Sequence, residues 1–147
     1  MRCHHSFIAA FICAIVASAA FGQPTPVGIW RVIGDVSGEA EALVAISERD
    51  DVFEGRIVKV FSRPGVDPDA VCELCPGARR NQPVRGLTIL SGLRRNGDDY
   101  TGGDILDPDT GEIYRCKLTL SADNRRLMVR GFVGISLFGR TQTWIGE

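Results

Sequence analysis

Cys72-Glu73-Leu74-Cys75 has the spacing of a thiol–disulfide exchange site. That chemistry needs a thiol at the start of a helix, where aligned amide dipoles lower its pKa. Here Pro76-Gly77 follows at once in a turn-rich stretch, so a local disulfide that stiffens a loop is the simpler reading. Of the remaining cysteines, Cys116 falls inside a strand pattern and reads as a buried free thiol, Cys3 lies in the N-terminal head, and Cys13 lies in the apolar run after it. The close pair alone falls short of the four ligands of a structural zinc site.

Carboxylates offer the next chemistry. Asp104, Asp107, Asp109 and Glu112 gather around one turn, but their spacing misses the helix-loop-helix calcium loop, and Asp-Pro with Thr-Gly more simply builds a rigid turn. Asp50-Asp51 and Asp98-Asp99 are adjacent acids in loops, which point apart and carry no mark of desolvation. Neither Gly102-Gly103 nor Gly131-x-x-Gly134 has the strand-to-helix setting of a phosphate cradle. Both histidines, His4 and His5, precede the folded part of the chain. A Ser-His-Asp or Cys-His constellation therefore cannot be assembled there. No catalytic residue is assigned, and neither a metal nor a cofactor is expected.

The segment carrying those histidines has a short basic or neutral head, Met1 to His5, followed by an apolar run from Phe7 to Phe21. Small residues at Ser18, Ala20 and Gly22 suit a signal-peptidase cut before Gln23 or Phe21. The run is short for a membrane span and lacks a charged stop flank. Residues 1–22 are thus read as a signal peptide, with no transmembrane segment left after cleavage, and the expected location is periplasmic or secreted in a bacterium. A cut before Gln23 removes 22 of 147 residues, leaving 125, a normal size for one domain over 23–147. It also removes one of 17 basic residues and none of 18 acids, shifting the formal net charge from −1 to −2. The signs are interspersed and the arginines come in pairs at 79–80, 94–95 and 125–126 beside turns, which does not make a nucleic-acid track.

The elements that would position these residues are strands. Ile113 to Leu120 alternates strictly, with Tyr114, Cys116, Leu118 and Leu120 opposed to Arg115, Lys117 and Thr119, as a half-buried antiparallel strand does. Leu127 to Val133 alternates again. Further strands are expected over 29–33, 42–47, 52–61, 84–93, 100–107 and 141–145, with Gly55 marking a bulge or a close backbone approach. Arg49-Asp50-Asp51 turns the chain, and Arg94-Arg95-Asn96-Gly97-Asp98 reads as a hairpin turn, because Asn-Gly accepts positive φ cheaply. Ser62 to Pro83, with its proline and glycine breaks and the cysteine pair, reads as a lid or binding loop, or as disorder. A single helical turn over 69–74 is compatible with it.

About eight strands joined mostly by tight turns predict an all-β fold, a single up-and-down antiparallel barrel. Such a barrel holds either a packed core or one small ligand, and pattern alone does not choose. Closure would bring the first and last strands, with Trp30 and Trp144, together. Arg130 and Arg140 are within reach of that seam in many registers, so a stack of arginine on indole sealing one barrel end is expected.

The order of short segments carries a resemblance. Gly28-Ile29-Trp30, Gly55-Arg56-Ile57-Val58, Cys72-x-x-Cys75, Gln82-Pro83 with Gly86-Leu87, Gly102-Gly103, Asp107-Pro108 and Gly111-Glu112-Ile113-Tyr114 follow one another, then Val129-Arg130-Gly131-Phe132-Val133-Gly134 and Gly139-Arg140-Thr141-Gln142-Thr143-Trp144. Together they resemble the bacterial family labelled domain of unknown function 2147, small exported proteins without an established activity. Phe132 stands where that family often has tyrosine, and only some members have the cysteine pair. The resemblance implies a lipocalin- or streptavidin-like barrel, with Trp30 against Arg130 or Arg140 at the closed end.

The expected function is therefore that of a non-enzymatic exported barrel binding a small, largely apolar molecule. The alternatives are a structural or protein-interaction module of the cell envelope with a solid core and, third, a thiol–disulfide redox protein.

Overall fold

A computed structural model describes residues 22–135 and 137–147. The segment read as a signal peptide, residues 1–22, lies outside them but for Gly22.

Eight strands form one closed barrel in which every strand pairs with its neighbour in sequence and the last pairs with the first. They are β1 (Gly28–Ile33), β2 (Ala40–Arg49), β3 (Val52–Val60), β4 (Thr88–Asn96), β5 (Asp99–Leu106), β6 (Ile113–Leu120), β7 (Arg126–Phe132) and β8 (Gly139–Gly146). The all-β, up-and-down expectation holds. Alternation is the cause: on β6 Cys116 and Leu118 are buried between partly or fully exposed Arg115, Lys117 and Thr119, and on β7 Leu127 and Val129 are buried while Met128 and Arg130 are not. A period of two puts one face of every strand inside the barrel.

The turns follow their residues. Asp50 and Asp51 both have positive φ, 52° and 62°, and join β2 to β3 as a two-residue hairpin of the mirror-image type. At the β4–β5 hairpin, Asn96 pairs with Asp99 and the two turn residues are Gly97, with φ 65°, and Asp98. The turn falls at the end of the 94–98 stretch expected for it, because the ladder claims Arg94, Arg95 and Asn96. Gly55 combines both roles foreseen for it. The β3–β4 register shifts on either side of it, and a Cβ there would lie 2.8 Å from Leu90 Cδ1.

The long connection from Phe61 to Leu87 is ordered rather than open. Its one helical element is a 3-10 turn at Gly77–Arg79, beyond the disulfide, in place of a turn over 69–74. Cys72 N–H donates to Gln82 O at 2.8 Å, and Asn81 N–H donates to Cys72 O at 2.8 Å. These bonds hold the backbone of 71–72 against 81–83, which a helical turn over 69–74 would prevent. β4 accordingly begins at Thr88 rather than Val84, whose N–H is given to Ala70 O within the loop. Among the described residues no helix is long and apolar enough to cross a membrane.

Candidate functional site

The barrel has two unlike ends. At the end where β1 starts, the lead-in residues Gln23 to Val27 cross beneath the strands. Trp30 Nε1 donates to Pro26 O at 2.8 Å, and both Trp30 and Pro26 are buried. Tyr100 O–H donates to Pro24 O at 3.2 Å, while Arg95 donates to Pro24 O at 2.5 Å, to Gln23 Oε1 at 2.7 Å and to the Tyr100 hydroxyl at 2.7 Å. The Arg95 guanidinium also lies 5.3 Å from the centre of the Tyr100 ring, and Phe53 meets that ring edge-on at 4.8 Å. Burial pushes the Tyr100 phenol pKa up against the opposing pull of Arg95. With Leu93, Leu118 and Leu127, all fully buried, these side chains fill this half of the barrel.

The other half is hollow. A cavity of about 570 Å³ opens where β1 and β2, β3 and β4, β5 and β6, and β7 and β8 are joined. Its floor and walls are Val44, Ile57, Ile89, Leu106, Val129 and Trp144, buried members of the core, with Val32, Ala42, Val60, Ile105 and Gly131 higher up. Polar groups gather at the rim: Glu41, Arg63, Asp107, Asp109, Arg140 and Gln142. The long loop borders this mouth through Arg63, Val66 and Val84.

That loop is pinned by the cysteine pair. Cys72 and Cys75 form the disulfide expected of them and are both buried in the core. Cys72 Sγ lies 3.3 Å from Pro108 O, and a Cβ on Gly111 would fall 1.9 Å from Leu74 O. Only glycine permits this docking of the loop on the β5–β6 turn. Cys116 is a free, buried thiol, and burial above all, with the Asp104 charge second, pushes its pKa up to about 12.

The indole–arginine stack does not form as expected. β8 runs toward the closed end, so Trp30 pairs with Gly146 while Arg140 pairs with Gly131 at the mouth. Six positions on β8 separate the two levels, roughly 20 Å of strand. Arg140 is instead ion-paired with Asp35 of the β1–β2 loop. Arg130 stands on the outer face, where it donates to Thr141 Oγ1 at 2.9 Å and Leu137 O at 3.3 Å. Trp30 and Trp144 do lie on adjacent strands at the β1–β8 seam and are both buried, but Trp144 belongs to the cavity floor. The arginine–aromatic contact at the closed end is made by Arg95 and Tyr100, which sequence reasoning missed. Their signal was local: the β4–β5 hairpin sets them directly opposite each other.

Several of the acids clustered at the β5–β6 turn or adjacent in sequence have other partners. Asp107 Oδ1 accepts from Asp109 N–H at 2.9 Å, Glu112 accepts from the Tyr114 hydroxyl, and Asp104 lies 3.7 Å from Arg115. Asp50 and Asp51 are spent in the tight turn. Asp99 pairs with Lys117 at 2.7 Å and accepts from Thr119 Oγ1 at 2.6 Å. Among the described residues no three His, Cys, Asp or Glu side chains come together as a metal site.

Comparison with known proteins agrees with this architecture. The sequence profile of a family described as "Uncharacterized protein conserved in bacteria (DUF2147)" matches residues 28–145. Among solved structures, protein HP1028 of Helicobacter pylori, described as belonging to the lipocalin family, aligns with a TM-score of 0.70 at 19% identity, covering 84% of this chain and 83% of that one. At that identity the likeness concerns the fold, which is lipocalin-like. No curated protein matches the chain.

Proposed function

This chain belongs to the DUF2147 family of uncharacterized bacterial proteins, and on that premise we propose that its barrel binds one small, largely apolar molecule without transforming it. The observation that carries this reading is the cavity of about 570 Å³ floored by Val44, Ile57, Ile89, Leu106, Val129 and Trp144. Small-molecule sites fall between about 300 and 1,000 Å³ and combine apolar walls with a few placed polar groups. A barrel evolved only for rigidity would fill this space, since each buried methylene contributes about 0.8 kcal/mol. The protein works outside the cytosol, in the periplasm or beyond. The Cys72–Cys75 disulfide supports that address, because such bonds persist in oxidising compartments. Its burial in the core supports a staple rather than an exchange centre, which needs an accessible thiolate.

Native mass spectrometry of protein purified from its host, followed by organic extraction, tests the proposal. The expected result is an apolar molecule co-purifying at up to one per chain, or tryptophan fluorescence that responds when 1-dodecanol is titrated into the emptied protein, because Trp144 lines the cavity. No co-purified molecule and no response below millimolar dodecanol would count against it.

A further inference from the structure

Gln142 is the innermost of the polar groups that line the cavity from the rim. On β8 it stands one inward step above Trp144, and its partner across the ladder is Val129, part of the cavity wall. Paired side chains on neighbouring strands share a face, so the Gln142 amide lies inside the barrel, half-buried and open to whatever fills the space. Trp144 Nε1 lies 3.4 Å from Gln142 Oε1. An indole N–H only donates, so this contact turns the amide oxygen toward the indole and leaves the Nε2 group facing elsewhere. Among the described residues no acceptor is bonded to that group.

Water can satisfy the two Nε2 N–H donors while the cavity is open to solvent. An apolar occupant displaces that water, and affinity is lost unless the occupant brings an acceptor in its place. The surrounding wall side chains, Val44, Ile57, Leu106 and Val129, offer none. An ionised acceptor is disfavoured at this level: it would be desolvated against those side chains, and the guanidinium one inward step above, Arg140, is already paired with Asp35.

We propose that the ligand carries one neutral carbonyl oxygen, of ketone or ester type, in an otherwise apolar body, and that this oxygen accepts from Gln142 Nε2 inside the barrel. This rests on the cavity-binding reading above and adds the ligand's polar group. Gln142 is the specificity-determining residue, and Trp144 is a positioning residue whose N–H sets which way the amide faces. The oxygen lies beside Val129, below the charged rim.

The probes that test this are 2-nonanone and 2-methyl-1-nonene, which differ only in a methylene group that replaces the carbonyl oxygen. Their partition from headspace into a solution of the emptied protein gives a dissociation constant for each. Gln142→Met keeps the length of the side chain and removes its donors. Loss of one hydrogen bond predicts that this variant binds the ketone about 3- to 10-fold more weakly than the wild type does, with the alkene within about twofold. Following each probe across the two proteins cancels their different solubilities in water. Should Gln142→Met fail to fold, the carbonyl stretch of 2-nonanone bound to the wild type carries the test, because a donated N–H lowers it below its frequency in hexane. Ketone affinity unchanged by Gln142→Met, an equal loss for both probes, or a bound carbonyl stretch at its hexane position overturns the assignment to Gln142 while the cavity reading stands. If neither probe binds the wild type, both readings fall together.

Discussion

Filling the cavity from its own wall separates a binding barrel from a merely loose one, and Gly131 is the place to do it. Gly131 lies on the inward face of β7, opposite Cys116 on one side and Arg140 on the other. It has no positive φ, and a Cβ added there meets Ile105 Cγ2 at 3.4 Å and Tyr114 Cβ at 3.6 Å, ordinary contact distances. Gly131→Leu should therefore project a side chain into free space. Replacing glycine in a strand regains about 0.5–1 kcal/mol of backbone entropy. Fully burying a leucine contributes about 1.5–3 kcal/mol, and roughly half of that applies in a cavity open to solvent. Side-chain ordering costs about 0.5–1 kcal/mol. The net is a gain of about 1 kcal/mol, seen as a rise of a few degrees in thermal midpoint. The same leucine occupies the space of a ligand, so dodecanol affinity should fall at least about tenfold. Thermal unfolding and fluorescence titration on one preparation read both effects. A loss of more than about 1 kcal/mol would mean overpacking, and hence that the space is not there. Raised stability with unchanged affinity would place the ligand outside the barrel.

Three further outcomes test other parts of the structure. Tyr100→Phe removes the hydroxyl that bridges Arg95 to Pro24 O. It should cost about 1 kcal/mol by chemical denaturation and hasten hydrogen exchange of the Trp30 indole N–H bound to Pro26; unchanged exchange would mean the lead-in is held without Tyr100. Cys116, with its pKa near 12, should resist a thiol reagent at pH 8 in the folded protein and react once denatured, giving one thiol per chain if Cys3 and Cys13 have been removed; rapid native reaction would contradict its burial. For Asp99, burial opposes the carboxylate, but bonds from Lys117 and Thr119 outweigh it and hold the pKa below the ordinary 3.8. A depressed folded-state pKa gives stability that is present above the unfolded value and lost as pH falls through the folded one. Asp99→Asn should thus cost under about 1 kcal/mol at pH 7, since the pair is a third exposed, and the gap to wild type should close as acid protonates the carboxylate; a gap that widens in acid would contradict the sign.

Much of the barrel was legible because alternation is a local signal. Leu127-Met128-Val129-Arg130 states its inward face in four residues, and β6 does so in eight. Register between strands distant in sequence is not local. Whether Trp30 meets Arg140 or Gly146 depends on the closure of β8 on β1, which only the assembled barrel decides. Placing both arginines near Trp30 treated the seam as one level, whereas Arg140 sits at the mouth and Arg130 outside. The Arg95–Tyr100 contact needs only a hairpin register, but an arginine pair beside a turn carries no sign of which arginine lies against the barrel end. The path of the long loop was illegible for a related reason. Its order comes from the docking of Cys72 and Leu74 on Pro108 and Gly111, more than thirty residues away.

Why the barrel is hollow at one end follows from side-chain size taken level by level. Inward positions near the closed end are Trp30, Phe53, Leu93, Tyr100, Leu118 and Leu127, large groups that meet across the axis. At the mouth the inward positions are Val32, Ala42, Val60, Gly131 and Gln142, too small or too polar to do so. The strands keep their spacing regardless of what they carry, so the shortfall in volume remains as space. Trp144 marks the boundary, buried in the core below and lining the cavity above. Polar side chains around that space are held in ion pairs, Arg140 with Asp35 and Arg63 with Glu41.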